Sequence, residues 1–399
     1  MKAKLVFLTV SFKFLFIFLI ISCDLSPESS GINMYGYNGS HKLIKVSVPE
    51  GGITFPISFN DDDTATVSKA FYIGETQVTY TMYFTVARWA QENRGYENLI
   101  LVSPDYDYKN EIDTLHIIYP NYLSDVYPYG ASPRFDKDYP VNGIQYTTAI
   151  VWCNAYTEWH NNKFKTNYTP AYENSNGEPV RKALKPFPPS GIGSITWWFD
   201  PVYNAYYDYL EEQKGVEKYF LNAPITGNGF RLPTANEWEL AARWNGNKNL
   251  NSVNNTISGI DFSNQTIKFT KGNSASGAVD SIENTEETGK VAFFYQNTPQ
   301  KNNWSQLQIP KLKKPNALGI YDMSGNLREI VYDVSYIDIN RLDVWEKPTG
   351  EKVPWPFAQS RGGSYRDGDL EALAVGNFIY VDATAFNDFY GLRIARNFD

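Results

Sequence analysis

Cysteine and histidine are scarce in this chain. Its 399 residues include two cysteines, Cys23 and Cys153, and three histidines, His41, His116 and His160. Two thiols exclude a disulfide scaffold. No two histidines stand at a metal-ligand spacing such as HxxxH, which excludes a local His-based zinc or iron motif. Basic charge is not in excess either: 36 Lys and Arg stand against 44 Asp and Glu, a formal net charge of −8. The chain therefore lacks the basic footprint that phosphate-backbone binding requires, and no nucleic-acid partner is expected. Long apolar runs are missing as well. Phe14–Ile21 is wholly apolar, but a bilayer span takes about 20 such residues. Core material, by contrast, is ample, at 42% hydrophobic and 16% aromatic residues. That composition excludes a disordered chain.

The beginning of the chain reads as a targeting signal. Lys2, Lys4 and Lys13 give it a positive start, Phe14–Ile21 has the length of a signal-peptide apolar region, and Ser22-Cys23 follows. A small residue before cysteine resembles a bacterial lipobox. The resemblance implies cleavage before Cys23 and acylation of its thiol and new amino group. Residues 1–22 are then the signal peptide, and 23–40, rich in Ser, Gly, Pro and Asn, a flexible tether. Acyl chains hold a protein at a membrane without a spanning helix. The expected location is the cell envelope, anchored to a bacterial membrane.

From residue 41 to 399 no linker composition divides the chain, so it reads as one domain, although a prior of roughly 150 residues per domain allows two or more. Val46–Pro49 and Ile53–Phe59, around Gly51-Gly52, predict a hairpin. Phe71–Ile73 and Val78 suggest strand. Helices are predicted over Thr81–Glu92 and Thr147–His160 from apolar residues at helical spacing. A third follows Pro233, where Thr234 and Glu237 form a capping box and Trp238, Ala241 and Ala242 face inward. Asn245–Thr270 reads as a long loop. Cys153 lies on an apolar helical stripe, as a small core residue does.

Five segments in order carry a resemblance. They are VPEGG and IGETQVT (Val48–Thr79); Pro140-Val141 with the helix bearing Trp152 and Trp159; GFRLPTANEWELAAR (Gly229–Arg243); NALGIYDMSGNLRE (Asn316–Glu329); and RGGSY (Arg361–Tyr365), closed by GLRIAR (Gly391–Arg396). Together they resemble the formylglycine-generating enzyme, or sulfatase-modifying factor, family. The resemblance implies an α+β fold related to C-type lectins, with small twisted antiparallel sheets, few helices and much irregular structure. It also implies a structural Ca²⁺ site at Asp322, Gly325, Leu327 and Glu329, two side chains and two carbonyls. Such hard oxygen ligands suit Ca²⁺.

The family's catalytic signature is two cysteines after GGS[WY], which bind copper and capture a substrate thiol. Soft sulfur holds Cu(I). Here Asp367 and Ala372 occupy those positions, and no cysteine follows Cys153. Ser364 matches the family's active-site serine, and Arg328 stands where the family keeps a tryptophan. Neither copper nor iron is expected, and Asp367 with Asp369 reads as a turn rather than a carboxylate pair for acid/base work. The expectation is a non-catalytic domain binding a glycan, peptide or protein. Ser364, Tyr365, Asp367 and Arg328 would lie at its ligand site, within a surface of Arg366–Tyr390 that carries Phe378, Tyr380, Phe386, Phe389 and Tyr390. The aromatic run Trp197–Tyr209 is a second candidate face. The alternative is a family enzyme with a divergent active site.

Overall fold

The computed structural model describes residues 37, 39, 41–99, 139–174, 176–183, 224–301, 304–336, 356–383 and 389–398. Cys23, His116, Phe386 and Trp197–Tyr209 lie outside them. Two long helices pack side by side. The first, α1 (Tyr80–Arg94), starts where the Thr79 side chain accepts from the Met82 amide and ends at Gly95 in the left-handed conformation. The second, α2 (Tyr146–Phe164), buries Trp152, Tyr156 and Trp159. Trp152 stacks on Tyr83 with ring centroids 5.4 Å apart, and its indole N–H donates to the Tyr83 carbonyl at 3.0 Å. Cys153 is fully buried beside them, and burial pushes its thiol pKa up.

One antiparallel sheet ties the two ends of the domain together. Its order is β1 (Leu43–Val46), β4 (Phe71–Gly74), β14 (Ala395–Asn397) and β5 (Phe230–Arg231). The predicted hairpin across Gly51-Gly52 does not form. β1 pairs instead with β4, Leu43 opposite Gly74, while β2 (Ile53–Ile57) pairs with β3 (Asp63–Val67). The glycine turn passes the chain from one sheet to another, and the true hairpin bends at residues 58–62. The Asn245–Thr270 segment is less irregular than expected. It carries a short ladder of β6 (Thr256–Ile257) with β7 (Ile260–Asp261) and buries Val253, Phe262 and Phe269.

From β5 the chain enters α3 (Ala235–Arg243) through the expected capping box: Thr234 accepts from the Glu237 amide, and the Glu237 side chain accepts from the Thr234 amide. Trp238, Ala241 and Ala242 are fully buried in a second core with β2, β3 and Val331. A fourth helix, α4 (Thr285–Val291), is capped by Asn284. After the short pair β8 (Gln300–Lys301) and β9 (Trp304–Ser305), a mixed sheet closes the fold. It runs β12 (Phe378–Asp382), β11 (Pro356–Arg361), β10 (Arg328–Tyr336), β13 (Tyr390–Leu392). β10 lies antiparallel to β11 and parallel to β13.

Candidate functional site

The central position of β10 brings the two diagnostic strings together. Glu329 pairs with Arg361 on one side and Gly391 on the other, so the run after Arg361 passes beside Arg328. Gly362 and Gly363 both have positive φ, 86° and 68°. A Cβ at Gly362 would meet the Met323 carbonyl oxygen at 2.6 Å, and one at Gly363 the Ala372 carbonyl oxygen at 2.7 Å. Glycine is therefore required twice, for conformation and for space. The turn that follows seats Ser364 in the interior, 1% exposed.

Asp367 then folds back onto Ser364. Its Oδ2 accepts from the Ser364 amide at 2.6 Å and from the Ser364 hydroxyl at 2.8 Å, while Oδ1 accepts from Arg328 Nη2 at 2.7 Å. The Arg366 amide donates to Ser364 Oγ at 3.2 Å. Arg328 and Asp367 thus neutralise each other as an ion pair. Asp369 is apart from this group: it caps the 3₁₀ turn Leu370–Leu373, accepting from the Glu371 amide. Ala372 sits in that turn. Of the four expected ligand-site residues, Ser364, Tyr365 and Arg328 are buried, and the Asp367 side chain is 20% exposed. Tyr365 packs with Leu307 and Leu327. Three of the four therefore belong to the interior and support the surface rather than form it. Of the surface aromatics, Phe378 and Tyr380 are exposed at 39% and 42%, whereas Tyr390 is buried and Phe389 half-buried against the core.

The four expected calcium ligands lie close in sequence, Asp322, Gly325 and Leu327 in the loop before β10 and Glu329 within it. Asp322 and Asn326 adopt left-handed φ of 55° and 63°, tolerable for short polar side chains. Glu329 is fully engaged. Its Oε1 accepts from Arg393 Nη2 at 2.6 Å and Gln77 Nε2 at 3.0 Å. Its Oε2 accepts from Arg393 Nε at 2.9 Å and Trp238 Nε1 at 2.7 Å. The Leu327 carbonyl accepts from Gln77 at 2.9 Å. Asp322 differs. Its Oδ2 accepts from the Lys311 amide at 3.0 Å, while its buried Oδ1 has no hydrogen-bond partner. Burial pushes its carboxyl pKa up to about 6. The donor set fits a cation in part: one oxygen is orphaned, while Leu327 and Glu329 are already bonded. No group of three or more His, Cys, Asp or Glu residues able to hold a metal occurs among the described residues. Gln77, Trp238 and Arg393 are members of this cluster that the sequence did not assign to it.

Among the described residues, four helices, several small antiparallel and mixed sheets, and a glycine-tight turn over a buried serine define a fold of the formylglycine-generating type. The chain belongs to the sulfatase-modifying factor enzyme 1-like domain family, which it matches over residues 42–398. It is similar to the solved structure of Treponema denticola variable protein 1, with TM-score 0.50 and 20% identity, covering 90% of this chain and 97% of that one. It is likewise similar to CarF, with TM-score 0.53 and 20% identity, covering 90% and 99%. A curated protein of Paenibacillus barcinonensis described as "Chaperone protein LppX" is 30% identical over 183 residues, 43% of this chain. That match spans half the length of the curated relative. Among the described residues no helix is long and apolar enough to cross a membrane.

Proposed function

We propose that the protein is a non-catalytic binding domain, residues 41–399, tethered through acylated Cys23 to a bacterial envelope membrane, and that its ligand is a polypeptide. The observation that carries the non-catalytic reading is the Arg328–Asp367–Ser364 group. Oxidation of a cysteine to formylglycine needs thiolates for copper and for capture of the substrate. In their place stand Ala372 and a carboxylate whose oxygens are held by a guanidinium, an amide and a hydroxyl. Of glycan, peptide and protein ligands, the outer strand favours a polypeptide. β12 has a partner, β11, on one side only among the described strands, and it exposes Phe378 and Tyr380 two residues apart on one face. An edge of this kind accepts an extended chain by strand addition, with side-chain pockets adding specificity. The relative described as a chaperone protein agrees with a polypeptide ligand. A structural Ca²⁺ at Asp322, Gly325, Leu327 and Glu329 is part of the proposal, supported by the orphaned Asp322 Oδ1.

The decisive experiment incubates the protein with a sulfatase-type cysteine peptide, with and without copper, and weighs the peptide by mass spectrometry. Unchanged mass is expected, and copper-dependent loss of sulfur overturns the reading. Against a library of extended peptides, Phe378→Ala with Tyr380→Ala should weaken binding without lowering the melting temperature. For the anchor, Cys23→Ala should abolish labelling by a fatty-acid analogue, and unchanged labelling would refute it.

A further inference from the structure

We infer that a cavity between the end of β3, the start of α3 and the C-terminal strand β14 binds a saccharide. It shares no residue with the Ser364 cluster or with β12, so it stands or falls apart from the polypeptide reading. Its volume of about 490 Å³ lies within the roughly 300–1,000 Å³ of small-molecule sites.

The floor of the cavity is rigid and electrically closed. Arg231 donates through Nη1 and Nη2 to the two oxygens of Glu237 at 2.6 and 2.7 Å. Through Nε and Nη2 it donates to Asn397 Oδ1 at 3.0 and 2.7 Å. Its remaining N–H reaches the Leu232 carbonyl at 3.1 Å. All five donors of the guanidinium are engaged, so Arg231 has none left for a phosphate or carboxylate ligand. Glu237 in turn accepts from Arg231 and from the Thr234 amide, which leaves no free carboxylate for a cation. The floor therefore selects against a fully ionic ligand. It also fixes the Asn397 amide group, whose oxygen is held by Arg231.

The rim supplies what a sugar needs. Asn236 and Ser68 are exposed and line the cavity, offering an amide and a hydroxyl that can each donate and accept. Lys69 adds one ammonium without an ion pair among the described residues. Phe398 forms a wall and is 42% exposed. Tyr72 at 5.6 Å and Lys45 Nζ, 3.5 Å from the ring centroid, hold that ring in place. Fixed amides and hydroxyls beside a held aromatic ring complement the alternating hydroxyls and C–H faces of a pyranose. Lys69 favours a sugar bearing one acidic group over its neutral counterpart.

The test is a glycan array of mono- to trisaccharides, neutral and uronic-acid forms together, probed with the full-length protein and followed by titration of any sugar that binds. Binding of at least one saccharide is expected, weakened about tenfold, the equivalent of about 1.4 kcal/mol, by Asn236→Ala and by Phe398→Ala. Both side chains are exposed, so the fold should persist, and unchanged melting curves would verify it. Tyr380→Ala should leave sugar binding unchanged. Absence of binding at millimolar sugar, or binding insensitive to both Asn236→Ala and Phe398→Ala, overturns the assignment. So does loss confined to Tyr380→Ala, which would move the sugar to β12.

Discussion

Replacing Glu329 with Gln keeps the side chain's shape and removes its charge, leaving Arg393 buried without its ion-pair partner. Arg393 is fully buried and Glu329 is 1% exposed. The guanidinium grips both Glu329 oxygens at 2.6 and 2.9 Å. It also donates to the carbonyls of Gly74 and Tyr321, each at 2.8 Å, joining β4, the loop before β10 and β10 itself. Breaking a buried pair by removing one partner costs about 3–5 kcal/mol, because the remaining charge stays desolvated. With a urea slope of roughly 2–3 kcal/mol/M, the unfolding midpoint should fall by roughly 1–2.5 M. Fluorescence of the ten tryptophans reports the transition, with chelator present throughout so that cation binding contributes nothing. Adding Arg393→Met to Glu329→Gln should recover part of the loss, since replacing both charges is tolerated better than replacing one. A Glu329→Gln variant within about 1 kcal/mol of wild type would refute the view that this pair is desolvated and holds the three elements together.

Two further outcomes follow from the same interior. If Ca²⁺ satisfies Asp322 Oδ1, millimolar calcium should raise the melting temperature over that in chelator, by the equivalent of about 2.7 kcal/mol at a hundredfold excess over Kd. Asp322→Asn should reduce the response, and identical melting curves with calcium and with chelator would remove the cation. Stability should also fall in mild acid, because burial lowers the pKa of both His41 and His160 from 6.5 to about 4. At these two groups the unfolded chain binds more protons between those values, so their contribution is lost as pH drops from above 6.5 towards 4, and it outweighs the opposing shift of Asp322, whose raised pKa adds stability as pH falls. The His41 shift alone is worth about 3 kcal/mol. His41→Asn with His160→Asn should flatten urea midpoints measured from pH 7 to pH 4.5, and a slope unchanged by the pair would show that other groups set it.

What could be read from the sequence, and what could not, divides by the range of the interactions concerned. The cap of α3 was legible because Thr234 and Glu237 are three residues apart and satisfy each other. α1 and α2 were legible because their buried residues recur at the helical period. α4 was not: of its seven residues only Thr288 and Val291 are buried, too few to make a stripe, and its start depends on the single side chain of Asn284. The false hairpin has a different cause. Gly51-Gly52 announces a turn but not which strand the chain joins next, and β1 finds its partner in β4, across the whole β2–β3 hairpin.

The site follows the same division. Arg328 and Asp367 were each visible as departures from the family pattern, but their attraction depends on the β10–β11 register, which brings residues 39 positions apart to 2.7 Å. Glu329 reads from the sequence as one of four oxygen donors in a short stretch. The charge that compensates it is on Arg393, 64 positions later, in a string that read only as family signature. A substitution of one family residue is therefore an incomplete description here. The acid at Asp367 is tolerable in a largely buried position because the Arg328 guanidinium meets it at 2.7 Å. Restoring cysteine at 367 and 372 alone would leave the Arg328 guanidinium unpaired against the new thiols.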